Sequence, residues 1–358
     1  MGDTQQVDQP LEPVVSNFPV DTFIYKAESQ QPDFVKKHGK YADGCNVLIA
    51  ILDTGVDPSL PCLERTSFGA RKIVDCIDCS GAGDVDTSVV KSAQNGSVVG
   101  LTGRKLKIPE DWVNPTGKWH LGVKPIYELY PKTLRKTVKE DWQKEAWDSA
   151  HQLAKADALR LLLGHEESVG GFSDNVRDKH DRENLACQVD FLKSMDKLED
   201  KGPVADCIVW HDGNRLEICV PSGAHGTHVA CIAAAYSPYD AGASGLAPGA
   251  QIVSMMIGDN RIDSMETGTA LIRAFNLCVE MKVDIINMSF GEGSHFPASG
   301  RIIEEIQRVV YQHNVIFVAS AGNSGPALTT VGSPGGTTPG VLGMEQPCLI
   351  YLNFIFVC

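Results

Sequence analysis

Four aliphatic runs that alternate with helical segments set the class of fold open to this chain. Residues 46–52 (NVLIAIL) form a continuous aliphatic run ending at Asp53, and residues 251–257, 283–288 and 315–319 also read as strands. A run as continuously aliphatic as residues 47–52 suits a strand covered on both faces. Between them, Leu271, Phe275, Cys278 and Met281 recur at helical spacing across residues 267–281. Ile302, Ile303, Ile306, Val309 and Val310 do the same across 301–313. Such stripes mark helices with one buried face. Residues 225–236 read as a buried helix of small side chains, and 71–76 as a further strand. The alternation implies an α/β fold of three layers, a mainly parallel sheet with helices on both faces. Catalytic groups in such sheets gather at the carboxyl ends of strands. Asp53 and Asn323 both fall there.

The rhythm breaks between residues 81 and 220. Residues 101–130 mix Pro, Trp and Tyr without a period. Residues 138–163 are helical in pattern, with Trp142, Ala146, Ala150, Leu153, Ala156, Leu159 and Leu163 at three- and four-residue steps, and 174–201 read as a more charged helix. Segments 204–210 and 216–220 flank His211-Asp212-Gly213-Asn214, whose Asp-Gly is a strong hairpin signal. We therefore expect an N-terminal extension over 1–40, anchored by Val14, Phe18, Phe23 and Tyr25. The α/β domain would occupy 41–80 and 221–343, with a mixed α+β insertion over 81–220 and an apolar tail over 344–358.

Charge and cysteine usage exclude several function classes. Against 45 acidic residues stand only 32 basic ones, a formal charge of −13, and no Lys/Arg run supplies a nucleic-acid footprint. The N-terminus has no apolar segment of the secretory kind, and the longest apolar run, 349–358, is far shorter than the ~20 residues of a membrane span. The 11 cysteines are scattered without a framework, which fits reduced thiols and a cytoplasmic location. Cys76-Ile77-Asp78-Cys79 lacks the second ligand pair of a zinc site. His225 and His228 could share a helix face, but no Glu or third ligand stands at the spacing a metal site requires. No metal or cofactor is expected.

Three short strings carry chemistry. Asp53 sits in Leu52-Asp53-Thr54-Gly55-Val56-Asp57, after a buried strand. An aspartic peptidase would need a second Asp-Thr-Gly to share a proton with the first, and none exists. A plain turn is the blander reading, since Asp and Gly both favour turns. His225 opens His225-Gly226-Thr227-His228-Val229-Ala230, where small neighbours let an imidazole reach a facing carboxylate. As a general base it would need that carboxylate to fix its tautomer. Asn323 stands in Ser320-Ala321-Gly322-Asn323-Ser324-Gly325-Pro326, where a side-chain amide could donate to a developing oxyanion. Such a donor is worth ~10²–10³ in rate, a magnitude that belongs to subtilisin itself.

In this order the strings resemble the Asp, His and oxyanion-Asn blocks of subtilisin-like serine peptidases. Asp43-Gly44-Cys45-Asn46-Val47, Ala247-Pro248-Gly249-Ala250 and Asn287-Met288-Ser289-Phe290-Gly291 add to the resemblance. Ser289 and Gly291 correspond to the strand that lines the substrate and pairs with an extended peptide. The interval of 172 residues between Asp53 and His225 is long for the family. It resembles the tripeptidyl-peptidase branch, as do Lys72-Ile73-Val74-Asp75, Gly100-Leu101-Thr102-Gly103-Arg104, Val209-Trp210-His211-Asp212-Gly213 and Met265-Glu266-Thr267-Gly268-Thr269. The resemblance implies a serine exopeptidase that releases tripeptides from oligopeptides with a free N-terminus. It implies Asp53 as the orienting acid, His225 as base and Asn323 as oxyanion donor, with Glu266 and Glu292 holding the substrate ammonium. It also implies large homo-oligomers for full-length members, built through a region this sequence does not contain.

The sequence departs from that pattern twice. The Gly-Thr-Ser-Met-Ser block that carries the nucleophile appears nowhere, and the likeness fades after about Gly343. Asp212-Gly213-Asn214 also runs almost directly into Ser222-Gly223-Ala224-His225, where the family has a longer passage. The expectation is a peptidase by family whose present chain is inactive. The other reading is a catalytically dead isoform that binds peptides or partners.

Overall fold

The structure, a computed structural model, describes residues 24, 26, 29–194, 203–209, 213–293, 299–325 and 329–344. The expected extension over 1–23, its anchor Tyr25, the turn at His211-Asp212 and the tail beyond Met344 lie outside the described residues. The chain divides into two compact units, residues 1–84 with 215–358, and residues 85–214.

The first unit is built on a six-stranded sheet in the order Val341–Met344, Ile316–Ser320, Ile285–Met288, Leu48–Asp53, Gln251–Met256, Ile73–Asp78. Every pairing in it is parallel. The central strand shows why an uninterrupted apolar run was needed. Alternate residues on a strand face opposite ways, and here both ways lead into a core. Ile49 and Ile51 pack with Ala230 and Ala234 of the helix His225–Ala234. Ala50 and Leu52 pack with Ala270, Ala274 and Phe275 of Gly268–Glu280 and with Ile303, Ile306 and Val309 of Arg301–His313. Full burial of each large aliphatic side chain contributes ~1.5–3 kcal/mol. Helix ends are set locally: the Thr267 hydroxyl accepts from Ala270 N–H at 3.1 Å, and Asn314 closes Arg301–His313 in the left-handed region.

Strand order positions the site. After Leu48–Asp53 the chain crosses to Ile73–Asp78, fills the gap with Gln251–Met256, and then crosses to the opposite side with Ile285–Met288. The order therefore reverses at the Asp53 strand. In open α/β sheets such a switch point is where ligands bind, outside the carboxyl ends of the strands.

One strand was not foreseen. Val341–Met344 joins the sheet edge with Phe317 opposite Val341 and Ser320 opposite Met344. Its residues are exposed or half-buried, so no apolar run announces it.

The insertion leaves the first unit at Asp84 and returns at Arg215, and just inside these points Ile218 N–H donates to the Gly83 carbonyl at 3.0 Å. The second unit holds a three-stranded antiparallel sheet of Val89–Ser92, Lys118–Pro125 and Val204–Val209. It also holds a strand pair, Ser97–Val99 with Lys105–Lys107. The helical pattern expected over 138–163 becomes two helices, Lys132–Trp142 and Asp148–Ser168, joined by a π turn over Gln143–Trp147. Val176–Ser194 is the charged helix. Among the described residues the two strands flanking Asp212-Gly213, Val204–Val209 and Arg215–Glu217, lie in different sheets. Val204–Val209 pairs instead with Lys118–Pro125, from His120 opposite Val209 to Pro125 opposite Val204. A turn signal is local, whereas buried Trp119 and Leu121 in that strand offer a larger apolar surface from a distance.

Candidate active site

Asp53 ends its strand with a carboxylate that is 0% exposed. The Thr54 N–H donates to its Oδ1 at 2.7 Å. His225, the first residue of the next unit-one helix, places Nδ1 at 2.8 Å from Oδ1 and 2.9 Å from Oδ2. An ionised carboxylate only accepts, so Nδ1 carries the hydrogen and Nε2 keeps the lone pair in the neutral ring. The imidazole is 39% exposed and opens toward solvent. Among the described residues no hydroxyl is hydrogen-bonded to that ring.

The two segments are fastened by residues that sequence reasoning had not singled out. Ala224, at the start of the His225 helix, has no side-chain oxygen with which to cap it. Thr54 supplies one from the other segment: its Oγ1 accepts from Gly226 N–H at 3.0 Å and donates to the Gly223 carbonyl at 3.2 Å. Thr227 returns the favour, its Oγ1 accepting from Asp57 N–H at 3.0 Å. Ser222 N–H donates to the Thr54 carbonyl at 2.7 Å, and buried Ser254 accepts from Val56 N–H at 3.0 Å. The available signal was a Thr placed directly after Asp53 and another two residues after His225. Gly55 turns the chain here at φ 92°, with Pro221 packed against it.

The segment leaving Ile285–Met288 runs past the pair. Phe290 meets the His225 ring edge-on, with centroids 6.3 Å apart. Ser289 Oγ accepts from Asn287 Nδ2 at 3.1 Å. Gly291 is close-packed, since a Cβ there would lie 2.9 Å from the Ser333 carbonyl. Glu292 and Ser333 exchange both main-chain hydrogen bonds, at 3.1 and 2.9 Å. Glu266 lies in the short strand Met265–Glu266, paired with Gly258–Asp259. Burial pushes its carboxyl above the usual range, and the neighbouring charge of Glu292 adds to that. The two carboxylates are thus close enough to feel each other.

Asn323 follows Ile316–Ser320 in an exposed turn. Its strand lies two places from the Asp53 strand in a parallel sheet, so the two strand ends stand roughly 10 Å apart on one edge. The structure therefore joins Asp53 to His225 directly, leaves Glu266 within the electrostatic influence of Glu292, and leaves Asn323 outside the hydrogen-bonded pair. A buried carboxylate that orients an imidazole makes a general base, and a hydroxyl is what such a base activates.

Residues 44–357 match the model of the subtilase family. Tripeptidyl-peptidase 2 of Caenorhabditis elegans is 47% identical over 92% of this chain, and that of Oryza sativa subsp. japonica 39% over 91%. The chain spans 28% of the length of each. The crystal structure of tripeptidyl peptidase 2 superposes with a TM-score of 0.64 and 30% identity, over 94% of this chain and 30% of that one.

Proposed function

Because the chain belongs to the subtilase family, we propose that it carries the acid, base and oxyanion groups of a serine peptidase that cuts tripeptides from free N-termini. The hydrogen-bonded pair Asp53–His225 carries this reading. Asp53 holds the imidazole in one tautomer and stabilises its cationic form, and His225 Nε2 takes the proton of an attacking hydroxyl. Asn323, on the same sheet edge, donates to the oxyanion. The segment of Ser289 and Gly291 aligns the substrate backbone. Glu266 and Glu292 bind its ammonium, and a carboxylate pair engaged in this way limits the peptide beyond the cut. The relatives named tripeptidyl-peptidase 2 support this substrate class.

The hydroxyl is the missing part. The sequence holds no Gly-Thr-Ser-Met-Ser block, so we assign the present chain binding without turnover. Its scattered cysteines support a cytosolic setting. Two measurements on the purified 358-residue chain test the reading. A fluorophosphonate probe should label no serine, and labelling of any serine overturns the missing-nucleophile assignment. An oligopeptide with a free N-terminus should bind, and its N-acetylated twin should not. Equal binding of the two overturns the tripeptidyl-peptidase reading.

A further inference from the structure

We propose that Cys62 and Cys231 form a reversible oxidation site, a spatially paired dithiol that a hydroperoxide closes to a disulfide. The two residues are far apart in sequence, yet their sulfurs lie 3.9 Å from each other. Cys62 belongs to the short turn Pro61–Leu63, which follows the Asp53 strand, and Cys231 to the helix that begins with His225. The main chain holds them in place. Tyr236 N–H, just past the end of that helix, donates to the Cys62 carbonyl at 2.9 Å, and buried Leu63 packs in the same core as Ala230 and Ala234. A disulfide needs sulfurs ~2.05 Å apart, and rotation of the two side chains is the motion that brings them together. Both thiols are half-buried, open to a small oxidant and shielded from large ones.

The pair is also chemically unequal. A hydrogen bond from Cys231 holds the Cys62 thiol well below its ordinary range despite partial burial, and the Lys72 ammonium adds to the effect. The same hydrogen bond and burial push Cys231 up. The Lys72 ammonium acts on Cys62, so we assign Cys62 as the attacking thiolate and Cys231 as the resolving thiol. In the first step an S–O bond forms on Cys62, the peroxide O–O bond breaks, and the departing oxygen leaves as water or alcohol after taking a proton. In the second, Cys231 sulfur attacks the Cys62 sulfenic acid, the S–S bond forms, the S–O bond breaks, and water leaves with the Cys231 proton. Overall two thiols lose two protons and two electrons, and the hydroperoxide is reduced. The bridge would fasten the turn beyond Asp53 to the helix carrying His225, with Cys231 about 9 Å along the axis from that residue.

Treating the full chain with hydrogen peroxide and following intact mass and tryptic peptides tests the proposal. The first oxidised species should be about 2 Da lighter, should yield a cross-linked peptide containing Cys62 and Cys231, and should revert with dithiothreitol. In Cys231→Ser the reaction should stop at a Cys62 sulfenic acid that dimedone traps. A different cysteine pair linking first, or Cys62 gaining oxygens in the unmodified chain without any bridged species, overturns it. Because the wild-type chain gives the deciding result, the proposal stays testable even if the variant fails to fold, and it is independent of the peptidase reading.

Discussion

Gly226 lies so near Asp53 that a Cβ atom added to it would stand 3.0 Å from the Asp53 Cβ and 3.1 Å from its Oδ1, and would collide with the Gly55 carbonyl oxygen. Backbone of the Gly55 turn leaves nothing flexible to yield. Gly226→Ala should therefore lift the His225 helix off the Asp53 loop and cost ~1–3 kcal/mol of stability. Urea unfolding of the variant beside wild type measures this, and an unchanged midpoint would refute the close approach.

The Asp53–His225 hydrogen bonds predict a spectroscopic mark. A proton held between Nδ1 and a buried carboxylate should resonate far downfield in the proton NMR spectrum, and Asp53→Ala should abolish it. In a peptidase of this family supplied with its nucleophile, Asp53→Asn should lower kcat by ~10⁴-fold, as for the corresponding change in trypsin.

Lys72 is 0% exposed and donates from Nζ to the carbonyls of Pro248 at 2.6 Å and Ala250 at 2.8 Å. Lys72→Met removes both donors and should cost ~2–4 kcal/mol at pH 7, since two buried carbonyls lose their partner. Burial pulls the Lys72 ammonium down to about 8 from its ordinary 10.5. The folded chain then binds fewer protons than the unfolded one between those values, so wild type should gain stability relative to the variant as pH rises from about 8 toward 10.5.

Buried thiols act in the opposite sense. Burial pushes Cys79 and Cys219 up to about 12 from 9.0. Stability from these two groups is complete below pH 9 and falls as pH climbs through about 12. Cys79→Ala should flatten part of that alkaline loss, read from unfolding midpoints across the range. A parallel curve for the variant would exclude Cys79 as a contributor.

For the glutamate pair, Glu266→Gln or Glu292→Gln should weaken binding of a free-N-terminal peptide by ~10- to 100-fold, the scale of one charge-assisted hydrogen bond. Binding of the acetylated peptide should not change. Since Glu266 protonates more readily than an ordinary carboxyl, wild-type affinity should fall as pH drops through its raised value, and Glu266→Gln should lose that dependence. Calorimetric titration checks both.

The sequence announced what was local or doubly buried. Leu48–Asp53 was legible because each of its faces meets a core, and Gly268–Glu280 because its apolar stripe and Thr267 cap are self-contained. The subtilisin-like strings located Asp53 and His225 before any geometry was known. What stayed hidden depends on distant partners. Lys72 reads as a surface cation until the carbonyls of Pro248 and Ala250 enclose it. Thr54 reads as a turn residue, although it caps a helix that begins at His225. Val204–Val209 pairs with the sequence-distant Lys118–Pro125, a partner that no local turn signal announces.

The clasp between Gly83 and Ile218 has a consequence for how the chain finds its fold. Closing a loop becomes costlier and slower as it lengthens, and 172 residues separate the carboxylate from the imidazole. Once Ile218 N–H meets the Gly83 carbonyl, residues 85–214 are bypassed like a closed side road. Only a few dozen residues then span the remaining path, and Asp53 and His225 can search for each other as neighbours in a far shorter polymer.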